Sequence, residues 1–133
     1  MAPFPQNYEL TVLSLGAFGL LLLIQLIVSD VVGIRARHVP GTPVPPDHRS
    51  LLFRATRAVG NTNESLGIYL ALLLFCLLSG ASASTVAYLS WGYVATRAAY
   101  TGCYYLNLQT LRSVCFGLSV LLLVALLLVG FFS

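Results

Sequence analysis

The chain has 133 residues, of which 58% are hydrophobic and only 8% charged, with a formal net charge of +3. Soluble domains carry about 25% charged residues, so this composition excludes an ordinary water-soluble globule and points to a protein dissolved in a bilayer. The seven basic residues are all arginine, and their balance is too small and too dispersed to suggest a nucleic-acid partner.

The N-terminus, MAPFPQNYEL, has no cationic region, and no small-residue cleavage site follows before Asp30. The apolar run after it therefore reads as a retained span and not a signal peptide. A hydrocarbon core about 30 Å thick takes about 20 apolar helical residues. A first helix over about residues 10–33 supplies them, and Asp30 to Gly33 ends the run. Residues 34–50, IRARHVPGTPVPPDHRS, contain four prolines and read as a surface loop. A second helix is predicted over about 51–78, opening on the polar stretch RATRAVGNTNE at 54–64. SGASAS makes a short turn before a third helix over about 85–106, which carries Arg97 and several tyrosines. NLQT makes the last turn, and a fourth helix over about 111–132 is charge-free after Arg112. All six prolines fall at the N-terminus or in the first loop, so the spans carry no proline kinks. The fold class is all-α: an integral, multi-pass membrane protein with one four-helix domain over residues 1–133.

Arginine placement orients the bundle. Arg35, Arg37 and Arg49 lie in or beside the first loop, Arg54 and Arg57 follow it, and Arg112 follows the third connection. The second connection and both termini have no basic residue. By the positive-inside rule the first and third connections face the cytoplasm, with both termini on the opposite side.

Arg54, Arg57, Asn61 and Glu64 are spaced so that all four share an arc of about 80° on the second helix. On the third helix Arg97, Tyr100 and Tyr104 fall within about 60° of one another. Taken singly, the arginines near a helix end are explained by snorkelling and the tyrosines by an interfacial aromatic belt. Glu64 resists that account, because it sits about 15–20 Å along its helix, too deep for a short side chain to reach the headgroups. A structural ion pair with Arg57 or Arg97 is its bland role, and Asn61 as interhelical glue is the bland role for the amide. The stripes converge with Arg112 on one membrane side, and intramembrane ionisable residues default to function.

Such a set suits a ligand that is anionic overall yet carries a cation for Glu64. Planar guanidinium groups pair with carboxylates bidentately, tyrosines add neutral hydrogen bonds, and a nearby positive charge stabilises a thiolate. Glutathione fits, with two carboxylates, one ammonium and one thiol. An anionic lipid headgroup such as phosphatidylserine fits the same inventory.

The second-helix stretch resembles the signature R-x-x-R-A-x-x-N-x-x-E of the membrane-associated proteins in eicosanoid and glutathione metabolism, which include the microsomal glutathione transferases and the leukotriene and prostaglandin E synthases. Arg54, Arg57, Ala58, Asn61 and Glu64 match it in full. Arg97, Tyr100 and Tyr104 are similar to the family's third-helix pattern, and Arg112-Ser113 to the opening of its fourth helix. The resemblance implies a homotrimer of four-helix bundles that binds glutathione as co-substrate between subunits, in a site open to the cytoplasm. It implies that Arg54, Arg57, Asn61, Glu64, Arg97, Tyr100 and Tyr104 hold glutathione, and that Arg112 stabilises the thiolate. Arg35 or Arg37, with Ser113, would stand near a lipophilic second substrate entering from the bilayer. No metal is implied.

Glu64 is followed by Ser-Leu-Gly, where several family members place an aromatic residue or proline, so no particular eicosanoid is implied. The compact chain is like bacterial members, which favours a bacterial inner membrane over the endoplasmic reticulum and a general glutathione transferase or peroxidase. Two other functions compete: a noncatalytic lipid-binding or scaffold protein of the same fold, and a small proton-coupled exporter using Glu64. His38 and His48 read as solvated loop residues, and Cys76, Cys103 and Cys115 as buried free thiols.

Overall fold

The computed structural model describes residues 6–133, a 3₁₀ turn at Gln6–Tyr8 followed by four helices: α1 Glu9–Arg35, α2 Leu51–Leu78, α3 Ala83–Tyr105 and α4 Gln109–Phe131. Residues 1–5, which hold two of the prolines and half of the stretch read as lacking a cationic region, lie outside the described residues. No strand occurs among the described residues. Helix α1 continues two residues past Gly33, and α3 begins two residues before Thr85.

Helices α1, α2 and α4 are long and apolar enough to cross a membrane. Helix α3 is as long as α4 but more polar, and it buries nine of its residues where α1 buries four. The packing explains the difference. Helices α2 and α3 each contact all the other helices, whereas α1 and α4 flank the pair and do not touch each other. Helix α3, the most buried of the four, has the least lipid to face, so its composition is released from the apolar requirement that shapes the other three.

The chain leaves each of the first three helices by the same device. The backbone N–H of His38 reaches Gly33 O (3.0 Å), that of Ala81 reaches Cys76 O (3.1 Å) and that of Leu108 reaches Cys103 O (2.8 Å). Each closes over a left-handed residue: Arg37 (φ 53°), Gly80 (φ 75°) and Asn107 (φ 58°). These are Schellman caps, which satisfy carbonyls that a helix end would otherwise expose at the membrane surface. Helix α2 opens on Ser50, whose hydroxyl accepts from the Phe53 N–H at 3.4 Å.

The largest core cluster lies in the half of the bundle away from the proline-rich loop. There Tyr69 stacks on Tyr93 at 4.3 Å between ring centroids, and Phe18 meets both edge-on at 5.1 and 5.5 Å. The cysteines are all free; Cys76 is buried and donates to Leu126 O at 3.1 Å, whereas Cys103 and Cys115 are half-buried.

Candidate functional site

The second, smaller cluster lies at the loop end and is built around Ala58, Tyr100 and Tyr104. Ala58 has no exposed surface, so α2 approaches the α3 tyrosines closely there. Tyr100 and Tyr104 meet edge-on at 5.5 Å, and the Arg112 guanidinium lies over the Tyr104 ring, 4.7 Å from its centroid. Asn61, Tyr100, Tyr104, Arg112, Ser113 and Phe116 line one open cavity of about 250 Å³. Four of the residues picked from the sequence, with Ser113, therefore meet at a single concavity drawn from three helices.

The α2 stripe forms as its spacing predicts. Arg57 Nη1 stands 3.7 Å from Glu64 Oε1, and the Asn61 amide reaches Glu64 Oε2 at 3.5 Å. Both charged side chains remain open, 45% and 62% exposed. Glu64 and Asn61 also head a longer apolar groove of about 450 Å³ between α2 and α4, floored by Ile68, Leu72, Val120 and Leu123. The groove and the cavity share Asn61 and Phe116 and so adjoin each other.

Two residues of the expected set lie elsewhere. Arg54 donates to the His48 carbonyl at 2.7 Å and to the Tyr105 carbonyl at 3.3 Å, clamping the end of the loop to the last turn of α3. A guanidinium suits that position, because the carbonyl end of a helix carries partial negative charge. Arg97 is fully buried inside the bundle. Its Nη2 donates to Asn61 Oδ1 and to Thr62 Oγ1, both at 2.8 Å, and its Cζ lies 4.2 Å from the centre of the Tyr100 ring. Arg35 and Arg37 are exposed at the end of α1, away from the cavity lining.

The family model of the MAPEG family matches residues 11–132, nearly the whole chain. The chain belongs to the MAPEG family. No curated protein and no solved structure gives a significant match.

In this MAPEG protein the loop contributes more than its polarity indicates. His48 remains exposed, yet its ring packs edge-on against Phe53 at 5.0 Å and lies nearly parallel to Tyr104 at 6.4 Å. Arg54 holds its carbonyl, and Tyr104 in turn lines the cavity. Gln25 was also missed by sequence reading, since one amide in a long apolar run has no partner visible in the sequence. It is fully buried and bonds Thr62 and Thr101. A single uncharged polar residue deep in a span is itself a signal of interhelical bonding.

Proposed function

We propose that this MAPEG protein is a membrane glutathione transferase or peroxidase that activates the glutathione thiol against lipophilic electrophiles or hydroperoxides. The observation that carries the reading is the donor set around one cavity: the Arg112 guanidinium, the tyrosine hydroxyls of Tyr100 and Tyr104, and the Asn61 amide, with the Glu64 carboxylate next to it. In this reading Glu64 takes the ligand's ammonium, and Arg57 and Asn61 take carboxylate or amide oxygens. Arg112 stabilises the thiolate, because a fixed cation in a water-poor site lowers the cost of a sulfur anion. The adjoining α2–α4 groove receives the apolar co-substrate from the bilayer. The site faces the cytoplasm, the side on which the arginine-rich connections gather.

The assembly we propose is a homotrimer, as the family resemblance implies. A 250 Å³ cavity is small beside ligand pockets of about 300–1,000 Å³, and Arg57 and Glu64 stay uncovered on a helix long and apolar enough to cross a membrane. Their face of α2 carries Arg57, Gly60, Glu64, Gly67, Ala71, Leu74 and Leu78, spaced alternately by three and four, and none of them is buried. Small residues at heptad spacing suit close parallel packing of copies of one helix. Packing α2 against its copies would cover the charged stripe and complete the site between subunits.

The test is a titration of the detergent-purified protein with glutathione, following thiolate absorbance at neutral pH. Saturable thiolate formation that fails in Glu64→Gln supports the enzyme. A second reading, lipid binding without catalysis, is favoured by the size of the apolar groove; it predicts a folded oligomer that binds fatty acid and gives no thiolate signal.

A further inference from the structure

The least expected group in the bundle is Arg97, a guanidinium with no exposed surface and no carboxylate within ion-pair distance among the described residues. Burying an uncompensated cation costs several kcal/mol in about any interior, so the neighbours that tolerate it carry information. Those neighbours form one polar layer through α1, α2 and α3. Gln25 Nε2 lies 3.0 Å from Thr62 Oγ1 and 2.5 Å from Thr101 Oγ1. Thr62 Oγ1 lies 3.1 Å from Ala58 O, and Thr101 Oγ1 lies 2.8 Å from Arg97 O.

Counting protons gives every bond in the layer one direction. A threonine hydroxyl has one hydrogen, and a backbone carbonyl only accepts. Thr62 therefore donates to Ala58 O and Thr101 to Arg97 O, leaving each hydroxyl only lone pairs for its other partners. Gln25 must then present its NH₂ to both threonines, and both amide hydrogens are used. Arg97 is a donor only, and the two hydrogens of Nη2 go to Thr62 Oγ1 and Asn61 Oδ1. Asn61 is thereby set with its carbonyl oxygen inward and its NH₂ turned toward Glu64 and the cavity it lines.

We propose that Gln25, Thr62, Thr101 and Arg97 form a buried clamp that fixes the Asn61 amide as a hydrogen-bond donor to the ligand, so that Arg97 and Gln25 are positioning residues and not ligand contacts. The proposal rests on the glutathione reading for the identity of that ligand. Asn61 then addresses an oxygen of the ligand, a carboxylate or amide carbonyl, and leaves its ammonium to Glu64. Gln25 ties α1 into the same layer, so a helix with no residue in the cavity lining helps to set the affinity of the site.

The experiment is a double-mutant cycle in the full-length protein, with Gln25→Leu, Asn61→Ala and their combination. Dissociation constants for glutathione and the pH midpoint of thiolate formation are read together. Gln25→Leu is expected to weaken glutathione about tenfold, the scale of one lost hydrogen bond involving a charged partner. The thiolate midpoint should stay in place, because Arg112 makes no bond to the clamp. On the Asn61→Ala background Gln25→Leu should have no further effect on affinity. Losses that add in full, or a midpoint that moves with affinity, would overturn the clamp. If Gln25→Leu does not fold, Thr101→Val removes a single acceptor of the same amide and is expected to act in the same direction. If the wild-type protein binds no glutathione, the functional reading fails and the clamp is judged by the side-chain amide resonances of Asn61, assigned by their loss in Asn61→Ala. A shift of those resonances in Gln25→Leu supports the clamp, and unchanged resonances sink it.

Discussion

The two halves of this bundle are made by the same helices on opposite principles. Away from the loop, the Tyr69–Tyr93 stack with Phe18, Leu73, Cys76 and Leu126 makes a closed apolar core. Packing there is tight enough that a Cβ on Gly130 would come within 2.5 Å of the Phe75 ring. That end is also tied down: the Tyr8 hydroxyl donates to Ala81 O at 2.5 Å and the Trp91 indole to Leu10 O at 2.9 Å. At the loop end, Arg57, Asn61 and Glu64 from the first half of α2, Arg97 from the second half of α3 and Arg112 from the first turn of α4 gather together. There the cavity stays open, and Arg97 Nε and Nη1 lack partners among the described residues. Closed apolar packing and the cluster of charged groups thus occupy opposite halves of the bundle.

That separation is sharpest if damage to one half spares the other. Tyr69→Ala should cost about 3–5 kcal/mol of stability, the range for deleting a large buried aromatic. Thermal unfolding measures the loss, and glutathione affinity measured well below the lowered midpoint should be unchanged. A parallel loss of affinity would mean that the halves are mechanically coupled and the comparison fails. Arg112→Ala makes the reciprocal cut: turnover should fall about 100-fold or more, the scale of removing a group that stabilises developing anionic charge. Glutathione binding and the unfolding midpoint should change little. A rise in KM with an intact kcat would make Arg112 a binding residue instead. The smallest effect belongs to His48→Ala, which removes the ring beside Tyr104. KM for glutathione should rise about threefold at constant kcat, as expected for one partly exposed aromatic contact. No change would return the loop to a merely solvated connection.

How legible the site was depends on which bonds the residues make. The stripe of Arg57, Asn61 and Glu64 was readable because all three lie on one helix and helical spacing alone brings them together. The cavity residues Tyr100, Tyr104 and Arg112 were readable through motif resemblance, although their meeting with Asn61 is a tertiary fact. Arg54 shares the wheel position of the stripe, but a long side chain one turn from the helix start reaches carbonyls that no wheel displays. Arg97 shares a face with the tyrosines, yet it points into the bundle behind Asn61. His48 and Gln25 gave almost no signal, since each is isolated among residues of a different character and acts through partners far away in sequence.

The residue string determined by itself that this chain lives in a bilayer, that it does so as four helices, and that one end of them is cationic. Those properties follow from composition and local periodicity, where each residue contributes independently of distant ones. Only the tertiary structure decided that α3 is the most buried helix, that Arg54 serves as a staple, and that Arg97 is held in a layer with Gln25, Thr62 and Thr101. The reason is the direction of the hydrogen bonds: a buried polar group must find its partner across the bundle, and three helices must be packed before that partner exists.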